Sequence, residues 1–240
     1  MSPQNRSKVI GETASATGHR SALLLTVLAA ALNSAGGIVV RSLDSATEWQ
    51  VVFWRCAALA MGISGIVFFQ HRGALLSQIR RIGAWSVLGG LCYGLTLIGY
   101  VLALTNTTVA NADFTMSSIP VFTAFLAWAF LRERVHRRTL LAIVASVAGI
   151  ALMVGDGIAA GTVFGNAMAI MAAMSFACFV VILRKAQSID MLPTAAVGAL
   201  LAAAVAAAMV DGDIIVSGRD LALCLIWGGV LSCAAHVLIV

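Results

Sequence analysis

The run from Val109 to Leu131 constrains this chain more than any other stretch. It is continuously apolar and long enough to cross a bilayer, which takes about 20 residues at ~1.5 Å each. One acid, Asp113, interrupts it near its start, and one proline, Pro120, near its middle. It ends in Arg132, Glu133, Arg134, His136, Arg137 and Arg138. Lys and Arg beside a span stay on the cytoplasmic side, so this end points inward. One span of known direction sets the direction of all the others if the spans alternate.

Seven further runs have the same character. The eight predicted spans are approximately 22–40, 49–69, 83–104, 109–131, 138–154, 163–183, 191–210 and 220–240. The chain is 61% hydrophobic and 10% charged, whereas a soluble domain carries about 25% charged residues. A bilayer satisfies backbone groups only in helices or closed barrels. Barrel strands alternate in polarity over about 10 residues, and these runs do not alternate. The expectation is an all-α membrane protein, a polytopic helical bundle.

Charge tests the orientation. With the N-terminus inside, the inner segments hold Arg6, Lys8, Arg20, Arg72, Arg80, Arg81, Arg132, Arg134, Arg137, Arg138, Arg184 and Lys185. The outer segments hold only Arg41 and Arg219, while Asp44, Glu48, Asp156, Asp211, Asp213 and Asp220 fall outside. This split predicts a multi-pass protein of the cell's inner membrane with a cytoplasmic N-terminus. Residues 1–20 read as a flexible cytoplasmic tail without a cleavable signal. The connections are too short for a soluble domain, which excludes catalysis by an attached module. The five cysteines, Cys56, Cys92, Cys178, Cys224 and Cys233, lie inside apolar runs with no CxxC pair. They read as small buried hydrophobes.

A repeat is visible. Aligning LAAALNSAGGIVV from Leu28 with MAAMSFACFVVIL from Met171 pairs Ala30 with Ala172, Asn33 with Ser175 and Val39 with Val181. Gly89-Gly90-Leu91 pairs with Gly228-Gly229-Val230 at nearly the same offset. The unit is five spans. An odd number inverts the second copy in the membrane. The expected layout is a first repeat over 21–155 and a second over 163–240, incomplete at three helices and reading as cut short by two.

Phe53-Trp54-Arg55, GYVLALTNTTVANADF across the third and fourth spans, Ile119-Pro120-Val121-Phe122, and LAWAFLRERVHRRTLLAIVASVAGIALM follow one another in the chain. With GNAMAIMAAMSFACFVVILRK, this succession resembles the EamA-like branch of the drug/metabolite transporter superfamily. The resemblance covers nearly everything after residue 20. It implies ten helices in two inverted repeats, and a gradient-driven secondary carrier exporting small metabolites such as amino acids by alternating access.

Arg55 is the sharpest single residue. A lone Arg within a span costs about 2.5–3.5 kcal/mol on insertion scales. It either binds an anionic substrate group in a cavity or snorkels to the outer interface past Trp49 and Trp54. Asp113 pairs with Arg55, relays a proton, or sits at the interface. Asn33, Tyr93, Tyr100 and Ser117 are polar groups that either line a path or bond within their own bundle. The candidate substrate-contacting set is Arg55, Trp54, Asn33, Tyr93, Tyr100, Asp113 and Ser117, with Pro120 and Glu133 as gating or structural elements. His236 reads as structural.

No P-loop is present. No catalytic residue, cofactor or metal is expected, and no nucleic-acid motif occurs. The expected partners are a small-molecule substrate and the lipid bilayer, with a homodimer as an open arrangement. A membrane-embedded enzyme is the less favoured alternative, because only Arg55, Asp113 and His236 offer charge or ligand chemistry inside the spans. The other alternative is a truncated or non-transporting membrane protein.

Overall fold

The computed structural model describes residues 25–239, except 26, 30, 33, 71–83, 132–140, 142, 146–147, 150–161 and 187–190. The described residues form helices and no strand. Helix α1 runs over Val27–Arg41. It is followed by α2 (Glu48–Gln70) and α3 (Ala84–Asn106). Helices α4 (Val109–Met116) and α5 (Ile119–Leu126) come next, and α5 continues as a π-helical turn over Ala127–Leu131. After them come α6 (Val163–Lys185) and α7 (Met191–Met209). The last is α8 (Gly218–Leu225), which passes through a π-helical stretch, Ile226–Ser232, into α9 (Cys233–Ile239).

Six of these helical stretches are long and apolar enough to cross a membrane: Glu48–Phe69, Ala84–Asn106, Val109–Leu131, Val163–Lys185, Met191–Met209 and Gly218–Leu238. The protein is an all-α polytopic membrane protein. The predicted first span appears as the shorter α1, and most of the predicted fifth span lies outside the described residues.

The fourth span is broken where the sequence carries Ser117, Ser118 and Pro120. The Ser117 hydroxyl donates to the Phe114 carbonyl at 2.6 Å and that of Ser118 to Thr115 at 2.6 Å. Hydroxyls that take over carbonyls in this way bend a helix. Pro120 then stands in the first turn of α5, where its missing N–H costs nothing. Three other helix starts are capped by side chains. Thr108 accepts from the Asn111 N–H, Thr162 from the Gly165 N–H and Ser217 from the Asp220 N–H.

Alternation of direction is visible in the contacts. At one end Asn106, closing α3, donates to Glu48 at the start of α2 at 2.8 Å. There too Thr162, before α6, donates to the Asn106 carbonyl at 2.7 Å. At the other end the Lys185 ammonium, closing α6, lies 5.1 Å from the centre of the Trp85 ring near the start of α3.

The centre is held by small residues that let backbones meet, the usual means of packing where lipid removes the hydrophobic drive between helices. A Cβ on Gly90 of α3 would crowd Val197 and the backbone of Gly198 in α7. A Cβ on Gly228 would run into the backbone carbonyl of Arg55 in α2, and one on Gly229 would lie in ordinary contact with Ala58. The two glycine pairs are related by an offset of 139 residues, and Arg55 and Val197 by one of 142. Each pair is seated on the helix that carries the corresponding residue.

Candidate functional site

Arg55 enters the bundle about 10 Å from the start of α2, taking 1.5 Å per residue. Tyr100 lies about 9 Å before the end of α3, Asp113 about 6 Å into α4, and Trp227 about 13 Å into the last span. Those four helix ends sit together, so the four side chains meet at a similar depth although far apart in sequence.

Arg55 is 4% exposed. Its guanidinium carbon stands 4.0 Å from the centre of the Trp227 ring and 5.9 Å from that of Tyr100. An Arg stacked on a desolvated aromatic face gains about 2 kcal/mol. Snorkelling past Trp49 and Trp54 is not the arrangement adopted. The Arg55 Nε and Nη1 atoms are buried and have no hydrogen-bond partner among the described residues. A buried donor left unpaired costs about 1–3 kcal/mol, more when charged, so a group that accepted from these nitrogens would recover that cost.

Trp227 is fully buried and sits in the π-helical stretch Ile226–Ser232. Insertions of this kind concentrate at functional sites because they re-aim a side chain inside an otherwise regular helix. Gly228 brings that turn against the Arg55 backbone, and Gly36 of α1 closes over the Trp227 ring from the other side.

Tyr100 connects Arg55 to an acid. Its ring faces the guanidinium and lies edge-on to Trp227, 6.5 Å between centroids. Its hydroxyl donates to Asp113 Oδ1 at 2.8 Å. Among the described residues the one ion pair is Arg219–Asp44, at 2.6 Å, so Arg55 and Asp113 do not neutralise each other by direct contact.

Deeper on α3, the buried Tyr93 hydroxyl meets His236 Nε2, and His236 Nδ1 meets the Ser232 carbonyl. A carbonyl can only accept, so Nδ1 carries a proton and donates to Ser232, and Nε2 shares a hydrogen bond with the Tyr93 hydroxyl. Phe176 and Phe179 pack on Tyr93, with centroids at 6.4 and 5.1 Å. Both imidazole nitrogens are thereby occupied, and among the described residues no cluster of His, Cys, Asp or Glu could hold a metal. The five cysteines are free thiols; Cys56, Cys224 and Cys233 are buried.

The end above Arg55 is closed by polar contacts. The buried Asp220 carboxylate accepts from the backbone N–H groups of Asp44, Ser45 and Ala46 at 3.0–3.1 Å and from the Ser45 hydroxyl at 3.3 Å. Gln50 Nε2 donates to the Asp213 carbonyl at 2.7 Å, and Trp54 Nε1 to the Ile214 carbonyl at 2.9 Å. The segment before α2 is thus tied to the start of α8, and α2 to the segment before α8.

The structure therefore brings together Arg55, Tyr100 and Asp113, and places Tyr93 in a second buried cluster. Trp54 turns to the Ile214 carbonyl and Phe53 instead. The exposed Ser117 spends its hydroxyl on its own helix, and Pro120 starts α5. Asn33 and Glu133 lie outside the described residues. Sequence reasoning missed Trp227 and Asp220. The aromatic residue immediately before Gly228-Gly229 was the available signal for the first, since a glycine pair marks close helix approach. Nothing local marked the second.

Comparison with known proteins agrees with this architecture. A stretch of 132 residues is 26% identical to mouse (Mus musculus) "Solute carrier family 35 member G1", covering 55% of this chain and 35% of that protein. The chain thus spans about a third of the length of the curated relative it matches. Residues 20–155, more than half of the chain, match the EamA-like transporter family, and the chain belongs to that family.

Proposed function

We propose that this protein is a gradient-driven secondary transporter of small carboxylate-bearing metabolites, exporting them by alternating access. The observation that carries the reading is the buried Arg55, with Nε and Nη1 unpartnered beneath the Trp227 ring. Guanidinium donors recognise carboxylates through paired hydrogen bonds, and a bound carboxylate would satisfy both the charge and the orphaned donors. Val197, which the repeat offset equates with Arg55, supplies no charge, so the positive pole comes from one half only.

Two further observations support the carrier reading. The glycine pair of the third span packs on α7 and the matching pair of the last span packs on α2, an arrangement that suits an inverted repeat. The polar closure around Asp220 covers the end of the bundle that the charge split puts outside, as an inward-facing state of an exporter would need. The same split supports a cytoplasmic N-terminus.

The test is release from proteoliposomes preloaded with L-amino acids and dicarboxylates, without ATP, with and without an imposed proton gradient. The expected result is faster release of at least one carboxylate than from protein-free vesicles, abolished by Arg55→Ala. Release that requires ATP, or that ignores Arg55→Ala, overturns the proposal.

A further inference from the structure

Resting on the carrier reading above, we infer that His236, joined to Tyr93 between the two halves of the bundle, is the proton-binding site that couples transport to a proton gradient. Tyr93 precedes Tyr100 on α3 by about 10 Å, so this site lies away from the end that holds Arg55. Tyr93 belongs to the third span and His236 to the last, the two spans that the glycine pairs match between the repeats. The Tyr93 hydroxyl is 2.5 Å from His236 Nε2, and Nδ1 donates to the Ser232 carbonyl at 2.6 Å. Nδ1 is thus committed as a donor, and Nε2 is where the ring gains or loses a proton. In the neutral ring Nε2 accepts from the Tyr93 O–H. In the imidazolium the Nε2–H donates to the Tyr93 oxygen, and the phenol proton turns away. The proton comes from water on one side and leaves to water on the other, and only the N–H bond forms and breaks. The Ser232 hydroxyl, one turn before His236, is buried with no hydrogen-bond partner among the described residues. An unpaired buried hydroxyl costs stability, and a water admitted beside it would recover that cost and bring the proton.

The charged and titratable groups acting on this pair among the described residues are Arg55 and Cys56 on α2, Tyr93 itself on α3, and Cys233 on the helix of His236. Helix α6 brings Phe176 and Phe179, and α7 brings Gly198, where an added Cβ would press on the Tyr93 ring. No carboxylate is among them, so an imidazolium adds a second cation to the one at Arg55. A buried charge without a counter-charge is costly, so the proton favours a state in which water reaches His236. Tyr93 and His236 sit in opposite halves, and rocking of one half against the other would admit that water. Loading and unloading the proton thereby biases which side of the carrier is open, and proton entry drives substrate exit.

Two measurements test this. In the purified full chain in detergent, the imidazole NMR signals of the four histidines are followed over about pH 5 to 8, where imidazole ordinarily titrates. His236→Gln identifies the His236 signal by its loss. In proteoliposomes preloaded with L-amino acids and dicarboxylates, with the membrane potential clamped, release is compared with and without an exterior about one pH unit more acid, protein-free vesicles giving the background. The His236 signal should titrate reversibly. Acid outside should speed release of at least one compound about threefold or more, within the roughly tenfold drive that one proton across one unit supplies. His236→Gln should remove the acceleration. Tyr93→Phe should keep it but move the NMR midpoint and the external pH of half-maximal acceleration together, which a merely structural bond would not do. A His236 signal that does not titrate, wild-type release indifferent to acid, acceleration that survives His236→Gln, or midpoints that move independently in Tyr93→Phe overturns the inference. Arg55→Ala separates the two claims. Release that ignores Arg55→Ala yet needs His236 for its acid response sinks the carboxylate site and keeps the proton site. Release abolished by Arg55→Ala but indifferent to acid in the wild type sinks the proton site alone.

Discussion

The guanidinium of Arg55 stacks on the ring of Trp227 at 4.0 Å, across 172 residues of chain. The contact joins the second span to the last one. It holds a charge inside the bundle that would otherwise move toward the interface, because cation–π attraction strengthens as water is removed. A substrate carboxylate would meet an Arg whose plane is already set, which lowers the ordering cost of binding.

Arg55→Lys should weaken carboxylate binding less than Arg55→Ala does. Lysine keeps the charge but loses the planar fork. A hydrogen bond to a charged group is worth about 1.5–3 kcal/mol, so Arg55→Ala should cost roughly ten- to a hundredfold in affinity. Titration of purified variants with a carboxylate ligand measures both. Equal effects of the two substitutions would show that the fork contributes nothing.

Gly228→Ala should destabilise the bundle, because the new methyl group would run into the Arg55 carbonyl. Overpacking against backbone costs about 1–3 kcal/mol. Gly65→Ala is the control. Nothing lies within 4 Å of its added Cβ, so higher helix propensity should make it neutral or stabilising by up to about 1 kcal/mol. Thermal unfolding in one detergent compares the two, and similar midpoints would contradict the close approach of α2 and the Ile226–Ser232 stretch.

Asp220→Ala should release the segment before α2. Three backbone N–H groups at Asp44, Ser45 and Ala46 would lose their acceptor, each costing about 1–3 kcal/mol if still buried. Asp220→Asn keeps one carbonyl oxygen and should fall between Asp220→Ala and wild type. Amide hydrogen exchange at 44–46 reads the effect locally. Unchanged protection in Asp220→Ala would mean that the segment is held by Arg219–Asp44 and Gln50 alone.

Orientation follows from the charge split. Asp213→Cys should react with a membrane-impermeant maleimide in intact cells, and Lys185→Cys should not. Both positions are exposed, Asp213 in the loop between α7 and α8 and Lys185 at the end of α6, and the native cysteines inside the spans set the background. The opposite labelling pattern would invert the topology.

Local sequence determined where the chain crosses the membrane, because span length and flanking charge are read one segment at a time. The fourth span was predicted at 109–131 and is found at Val109–Leu131, and the third was predicted at 83–104 and is found at Ala84–Asn106. Arg55 stood out for the same reason, since one charge in an apolar run is a local anomaly. Tertiary structure alone decided what Arg55 faces. In a soluble helix the apolar stripe marks the buried side. In a bilayer the lipid-facing side is apolar too, so no periodicity tells which way Trp227, Trp54 or Ser117 turns. Trp54 turned to the Ile214 carbonyl and Trp227 to the guanidinium because of helix rotation and the glycine contacts that allow close approach. Asp220 belongs to the same class, as its partners lie some 175 residues away in a loop whose backbone groups carry no side-chain signature.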